Sequence, residues 1–346
     1  MWPYWLMFLL PAWAVLMPGR VKASQAWLPW TGIYLMFALM MGLRHEVGGD
    51  WFNYLPQFLD VGSKTLGEVL TGSDPGYYAL NWLVSTAGGS IYHVNLVCAL
   101  VLMAGTLVFC RAQPNPWLAL LAAVPYMLIV VGMGYTRQSV ALGFALLGLA
   151  ALGNTRTRAF VIWIAIGATF HKSAVLLLPI AALAASRHRL LTVALVVLST
   201  GLLYYLLLAD ASEALWANYV EAQYQSEGGL IRVIMNALPA VLLILFRRRL
   251  LPDTQERKLW LWIAVFALAC LPLVPLASTA VDRVALYLIP IQLFVAARLP
   301  ALARTIRWRT LLVIGLIGYY AAVLFVWLNF AVHSFAWVPY RVMPLW

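Results

Sequence analysis

Charge is what this sequence has least of. Asp, Glu, Lys and Arg supply 10% of its 346 residues, against 64% hydrophobic ones. A soluble domain carries about a quarter charged residues, so this chain cannot clothe a water-facing surface. Acids are scarcer than bases, 12 against 23 Lys and Arg. In a membrane protein that excess speaks first to sidedness and not to nucleic acid. Cysteine is nearly missing. Cys98, Cys110 and Cys270 all lie in apolar runs, with no spacing for a disulfide framework or a metal site. The acids are too dispersed to argue for a metal, and there is no phosphate loop and no sugar-nucleotide site. No long polar stretch suggests a soluble domain. The first 18 residues lack a basic start and a small-residue cleavage site, so no cleaved signal peptide is expected. An internal repeat, the usual mark of a transporter, is not found either.

What is present is a series of apolar runs, most of them near the roughly 20 residues that cross a bilayer as a helix. The expected class is an all-α polytopic membrane protein, one integral domain over 1–346. Spans are expected near 2–18, 26–43, 91–110, 117–133, 137–153, 158–170, 172–185, 190–209, 231–246, 259–276, 280–297 and 310–329. The segment 76–88, GYYALNWLVSTAG, is only 13 residues long, which better fits an interfacial or re-entrant helix. With 76–88 left uncrossed, the links 19–25, 111–116, 154–157, 186–189, 247–258 and 298–309 share one side. That side holds 16 of the 23 Lys and Arg, with Asp253 and Glu256 as its acids; the other holds 7 basic and 10 acidic residues. The positive-inside rule makes the first side cytoplasmic and puts both termini outside. An outer loop with an interfacial helix is expected over 44–90, and a second outer loop over 210–230.

The densest polar cluster, LRHEVGGDWFNYLPQF at 43–58, then faces outward. Asp60 to Glu68 read as solvated loop. Asp50 reads differently, because Gly48–Gly49 permits unusual backbone angles and close approach of a ligand. A carboxylate so placed could act as a general base. Trp51 and Tyr54 suit either stacking on sugar faces or the aromatic belt of the interface. Arg137 stands at the outer mouth of a span, where ionisable residues are functional candidates. His171–Lys172 breaks an apolar hairpin, just before a helix start that could seat an anion. Asp282–Arg283, with Tyr287 a turn later, reads either as a local Asp–Arg contact or as part of a site. Arg341, alone in an aromatic tail, suits an anchor or a ligand contact equally. Arg forks and Lys or His charge are the tools for a diphosphate. A carboxylate base, such a clamp and an apolar wall together suit glycosyl transfer from a polyprenyl-diphosphate sugar.

The order of these pieces resembles the EpsG family of bacterial exopolysaccharide polymerases, relatives of the Wzy-type O-antigen and capsule polymerases. The resemblance rests on RHEVGGDWFNY (44–54), SDPGYYALNWL (73–83), TRQSVALGFALLGLA (136–150), ATFHKSAVLLLP (168–179) and DRVALYL (282–288). It implies a glycosyltransferase-C-like helical enzyme of the inner membrane, acting at the periplasmic face. Its donor and acceptor would be oligosaccharide repeat units on undecaprenyl diphosphate, with membrane lipids around it and a chain-length regulator as a further partner. No cofactor, metal or nucleic acid is implied. The family's recurring positions fall on Arg44, Gly48–Asp50, Arg137, Phe170–His171, and Arg283 with Tyr287. Asp50 is the first choice for proton transfer and His171 the second. Arg44, Arg137, Lys172, Arg283 and Arg341 are expected at the diphosphate, and Trp51, Tyr54 and Tyr287 at sugar or lipid. The alternatives are a transporter or flippase of lipid-linked glycans, and a membrane transferase that decorates a finished glycan.

Overall fold

The computed structural model describes residues 1–17, 27–184, 189–207, 228–251 and 254–343. The expected link 19–25, most of 186–189, nearly all of the loop 210–230, and Asp253 lie outside the described residues.

Among the described residues the chain is helical throughout. The helices are α1 (Trp2–Leu16), α2 (Trp27–Gly42), α3 (Trp51–Val61), α4 (Leu66–Leu70), α5 (Pro75–Thr86) and α6 (Ile91–Arg111). There follow α7 (Pro116–Gly134), α8 (Thr136–Gly153), α9 (Thr157–Phe170) and α10 (Lys172–Ala184), the last opening as a 3-10 helix over Lys172–Leu177. The remainder are α11 (Arg189–Leu207), α12 (Gly229–Leu245), α13 (Arg247–Leu250), α14 (Thr254–Leu273), α15 (Ser278–Leu286), α16 (Pro290–Arg298) and α17 (Ile306–Phe330). A helix stands at each of the twelve expected span positions. By length and composition, α6, α7, α8 and α17 can each cross a membrane alone, and Ser278–Leu286 with Pro290–Leu302, bent by 50°, is either a broken fifth span or a re-entrant loop. The expected interfacial segment 76–88 forms α5, and it packs on α3, α4, α6 and α9.

Burial sorts these helices. In α7, 94% of the apolar window is covered by protein, whereas in α17 only 17% is. So α7 is the axis of the bundle, and α17 presents Leu311, Ile314, Phe325 and Val326 outward. A helix apolar all round and still exposed is a lipid-facing helix. Around α7, α6 packs against α2 and α8, α8 against α9, and α12 against α14 and α15. The α6–α8 contact is very close: a Cβ on Gly105 would lie 2.1 Å from the carbonyl oxygen of Gly143. Small residues at such crossings let backbones meet where lipid offers no hydrophobic drive.

Inside α7, Pro125 cannot donate a backbone hydrogen bond, and the helix widens into a π segment over Val124–Val131. The Ile129 carbonyl there accepts from the indole N–H of Trp337 at 3.0 Å. The tail after α17 is thus tied to the bundle axis. Tyr4 O–H donates to the Trp337 carbonyl at 2.5 Å, and Tyr340 O–H to the Met40 carbonyl at 2.8 Å. The same tail runs antiparallel beside the 43–48 loop. His45 N–H donates to the Arg341 carbonyl, Met343 N–H to the Leu43 carbonyl, and Gly48 N–H to the Ala336 carbonyl, at 2.7–3.0 Å.

Candidate active site

The loop 43–50 is built around Gly48. Its φ is +106°, and a Cβ would fall 2.0 Å from the Met133 carbonyl oxygen. Only glycine serves at such a position. The turn places Asp50 at the head of α3, where its carbonyl accepts the N–H groups of Asn53 and Tyr54. The phenol of Tyr54 donates to Asp50 Oδ2 at 3.3 Å.

Arg44 has a different job from the expected one. Its side chain is buried, and it donates to the carbonyls of Met41 (2.5 Å) and Val47 (3.1 Å) and to Thr136 Oγ1 (2.8 Å). A guanidinium whose donors close a helix end and a turn is scaffold, not a phosphate ligand. Trp51 is corrected in the same way: it is buried against Tyr92 and His45, so its faces are covered. Tyr54 is buried too and offers no open platform.

Two cavities meet this region. The first, about 460 Å³, is lined by Gly49, Asp50, Phe52, Tyr135, Trp337 and Arg341, among others. Arg341 stands at its edge and pairs with Glu46 at 2.5 Å. The second, about 570 Å³, is lined by Asp74, Arg137, His171, Lys172, Ser173 and Arg283, with an apolar wall that includes Leu176, Pro179 and Val284. Tyr54 links the two. Its hydroxyl reaches Asp50, and the guanidinium of Arg137 sits 5.5 Å from its ring centre.

Two side chains of the second cavity, Arg137 and His171, come from breaks between helices. Arg137 follows the kink at Tyr135 between α7 and α8, and it pairs with Asp74 Oδ2 at 2.8 Å. His171, with extended backbone, separates α9 from α10. Its Nδ1 is 2.5 Å from Ser173 Oγ and 3.5 Å from the Tyr287 hydroxyl, and its Nε2 is 3.4 Å from an Arg283 nitrogen. Arg283 is held on α15 by its own carbonyl, which accepts from Gln138 Nε2 at 3.1 Å. Tyr287 itself is buried. Asp282, read from the sequence as either a local partner of Arg283 or part of a site, takes two hydrogen bonds from Arg232 of α12, at 2.6 and 2.5 Å.

Burial raises the Asp50 carboxyl above the ordinary carboxylate range, while Arg137 and Arg283 pull it back down. Asp74 behaves alike, raised by burial and lowered by Arg137 and Lys172. His171 lies in the break between two helices, and burial with the charges of Arg283, Arg137 and Lys172 pushes it down to about 3. It is a neutral imidazole at physiological pH, able to hydrogen-bond but carrying no charge for the clamp. Asp50, whose charged form Arg137 and Arg283 favour, is the stronger candidate base of the two. Among the described residues no group of three or more His, Cys, Asp or Glu comes together to hold a metal ion.

The model of the EpsG family matches residues 27–342, nearly the whole chain. The chain belongs to the EpsG family. Membership implies exopolysaccharide polymerase activity in general. No curated protein and no solved structure matches it. Within this EpsG chain, sequence reasoning missed Asp74, Arg232 and Trp337 as parts of the region. A signal for Asp74 existed: it stands directly before Pro75, and an Asp preceding a Pro at the first helical position is a usual helix start.

Proposed function

We propose that this protein lengthens a surface polysaccharide by joining oligosaccharide repeat units carried on undecaprenyl diphosphate, at the periplasmic face of a bacterial inner membrane. The fold is read as twelve crossings in a glycosyltransferase-C-like arrangement, supported by the charge asymmetry between the two sets of links. One observation carries the chemical reading: Asp50 and the basic set Arg137, Lys172 and Arg283 come from four separate stretches of chain, yet border two adjoining cavities. Asp50 acts as general base on the acceptor hydroxyl. Arg137, Arg283 and Lys172 stabilise the negative charge that develops on the leaving diphosphate. Neutral His171 orders Ser173 and Arg283 beside it. The apolar wall at Leu176 and Val284 receives the start of the lipid.

The test is turnover by purified protein in nanodiscs, supplied with the undecaprenyl-diphosphate-linked repeat unit of its own host. Wild type is expected to give a ladder of chain lengths. Asp50→Asn is expected to lower the rate by about two to four orders of magnitude, the range for loss of a general base. A normal ladder from a well-folded Asp50→Asn protein would remove Asp50 from the reaction. A ladder that wild type fails to make from any such donor would remove the reading as a whole.

A further inference from the structure

Seven buried side-chain N or O atoms lack a hydrogen-bond partner among the described residues, and three of them belong to residues that line one cavity. These are Oδ1 of Asp74, Nε of Arg137 and Oγ1 of Thr200, the last on α11. Buried polar groups in folded proteins are almost always hydrogen-bonded, so each exception asks for a reason. Three exceptions around one space ask for a common one.

The three atoms define a chemistry. Asp74 Oδ1 is an acceptor, Arg137 Nε–H is a donor, and the Thr200 hydroxyl is both. A bare phosphate does not fit the set, because it would bring negative charge against the Asp74 carboxylate. A hydroxylated ring fits, since each of its hydroxyls can donate to a carboxylate and accept from a guanidinium. The position matches this reading. Asp74 is 4% exposed and stands at the N-terminal end of α5, with its other oxygen held by Arg137 at 2.8 Å. Lys172 and Arg283 lie on the same cavity wall, where a diphosphate would sit next to the sugar it carries. Tyr204, one helical turn after Thr200, lines the cavity as well, and its ring offers a face for stacking.

We infer that the cavity between Asp74, Arg137 and Thr200 is a sugar subsite, which reads hydroxyls of the hexose attached directly to the diphosphate. The inference rests on the proposed function and adds to it a residue-level selectivity filter for the donor. Asp74 is its acceptor, Thr200 its second contact, and Arg137 serves both sugar and diphosphate. Lys172 and Arg283 serve the diphosphate alone.

Binding in nanodiscs tests this with four probes: undecaprenyl diphosphate, and the same lipid bearing glucose, galactose or N-acetylglucosamine. Wild type is expected to bind at least one sugar-bearing probe about tenfold tighter than the bare diphosphate, the worth of one good buried hydrogen bond. Asp74→Asn turns the acceptor into a donor while keeping a partner for Arg137. Thr200→Val removes the hydroxyl and keeps the shape. Each is expected to cut the preference to less than about threefold. Arg283→Ala is expected to weaken all four probes together and leave the preference standing. Equal binding of all four probes by wild type, or a preference that survives both Asp74→Asn and Thr200→Val, would overturn the subsite and leave the polymerase reading in place. If wild type bound none of the four, both would fall together.

Discussion

Two partly buried arginine–aspartate pairs in this protein use the same chemistry to different ends. Arg232 and Asp282 join α12 to α15 through two parallel hydrogen bonds at 2.6 and 2.5 Å. Arg137 and Asp74 join α8 to the head of α5 through a single bond at 2.8 Å, and each keeps a buried atom without a partner. The first pair engages both carboxylate oxygens within the fold and needs nothing from outside. The second is held in position while part of its capacity is left open, beside a cavity. A fully satisfied ion pair belongs to the architecture, and a half-satisfied one marks where the fold expects a visitor. The same contrast separates Arg44 from Arg137. Both sit at helix ends, but the donors of Arg44 are engaged by Met41, Val47 and Thr136.

The contrast can be broken by experiment. Asp282→Ala leaves Arg232 buried with its carboxylate gone, and removing one partner of a buried pair costs about 3–5 kcal/mol. Thermal unfolding in detergent should show that loss, and the rate per folded molecule should stay near normal. Asp74→Ala is expected to show the reverse weighting: a stability loss nearer about 1 kcal/mol, because the pair was never fully satisfied, with a marked fall in turnover. Equal stability losses for the two variants would erase the distinction. A finer effect concerns pH. The base must be deprotonated, so activity rises with pH through the Asp50 ionisation, and burial places that limb above the ordinary carboxylate value of about 3.9. Arg283 favours the charged form of Asp50. Arg283→Ala therefore moves the acid limb of the pH–rate profile upward, and a downward or absent shift would deny that Arg283 acts on Asp50. The smallest effect is expected at the exposed rim. Glu46→Gln releases Arg341 from a solvent-facing pair, and such pairs contribute at most about 1 kcal/mol; the melting temperature should hardly move.

Much of the scaffold was legible because a bilayer forces helix onto apolar sequence. The expected spans near 91–110, 117–133 and 137–153 lie within a few residues of α6, α7 and α8. Polar residues that interrupt apolar runs, Arg137 and His171 above all, were visible for the same reason. Pairing was not legible. Asp282 and Arg283 are adjacent in sequence, but neighbours on a helix point about 100° apart; Asp282 takes two hydrogen bonds from Arg232 of α12, some 50 positions away. Burial in the 44–74 stretch was hidden too. That stretch reads as a polar loop, whereas it forms α3 and α4 and buries Trp51, Tyr54 and Asp74. The residues in it that resemble surface became interior because α5, α6 and α8 pack over them, a fact of tertiary structure that no local pattern carries.

The pairing of the tail with the 43–48 loop has a consequence for how the protein is made. The loop that aims Asp50 leaves the ribosome early, but the carbonyls it needs, on Ala336 and Arg341, are synthesised almost three hundred residues later. Until then the N–H groups of Gly48 and His45 lack the partners that they have in the finished fold. Assembly of this region is therefore a late event in biogenesis, and a nascent chain already threaded into the membrane is still unfinished as an enzyme. Any ribosome that stops before codon 336 leaves a protein whose helices can insert but whose carboxylate has not been aimed.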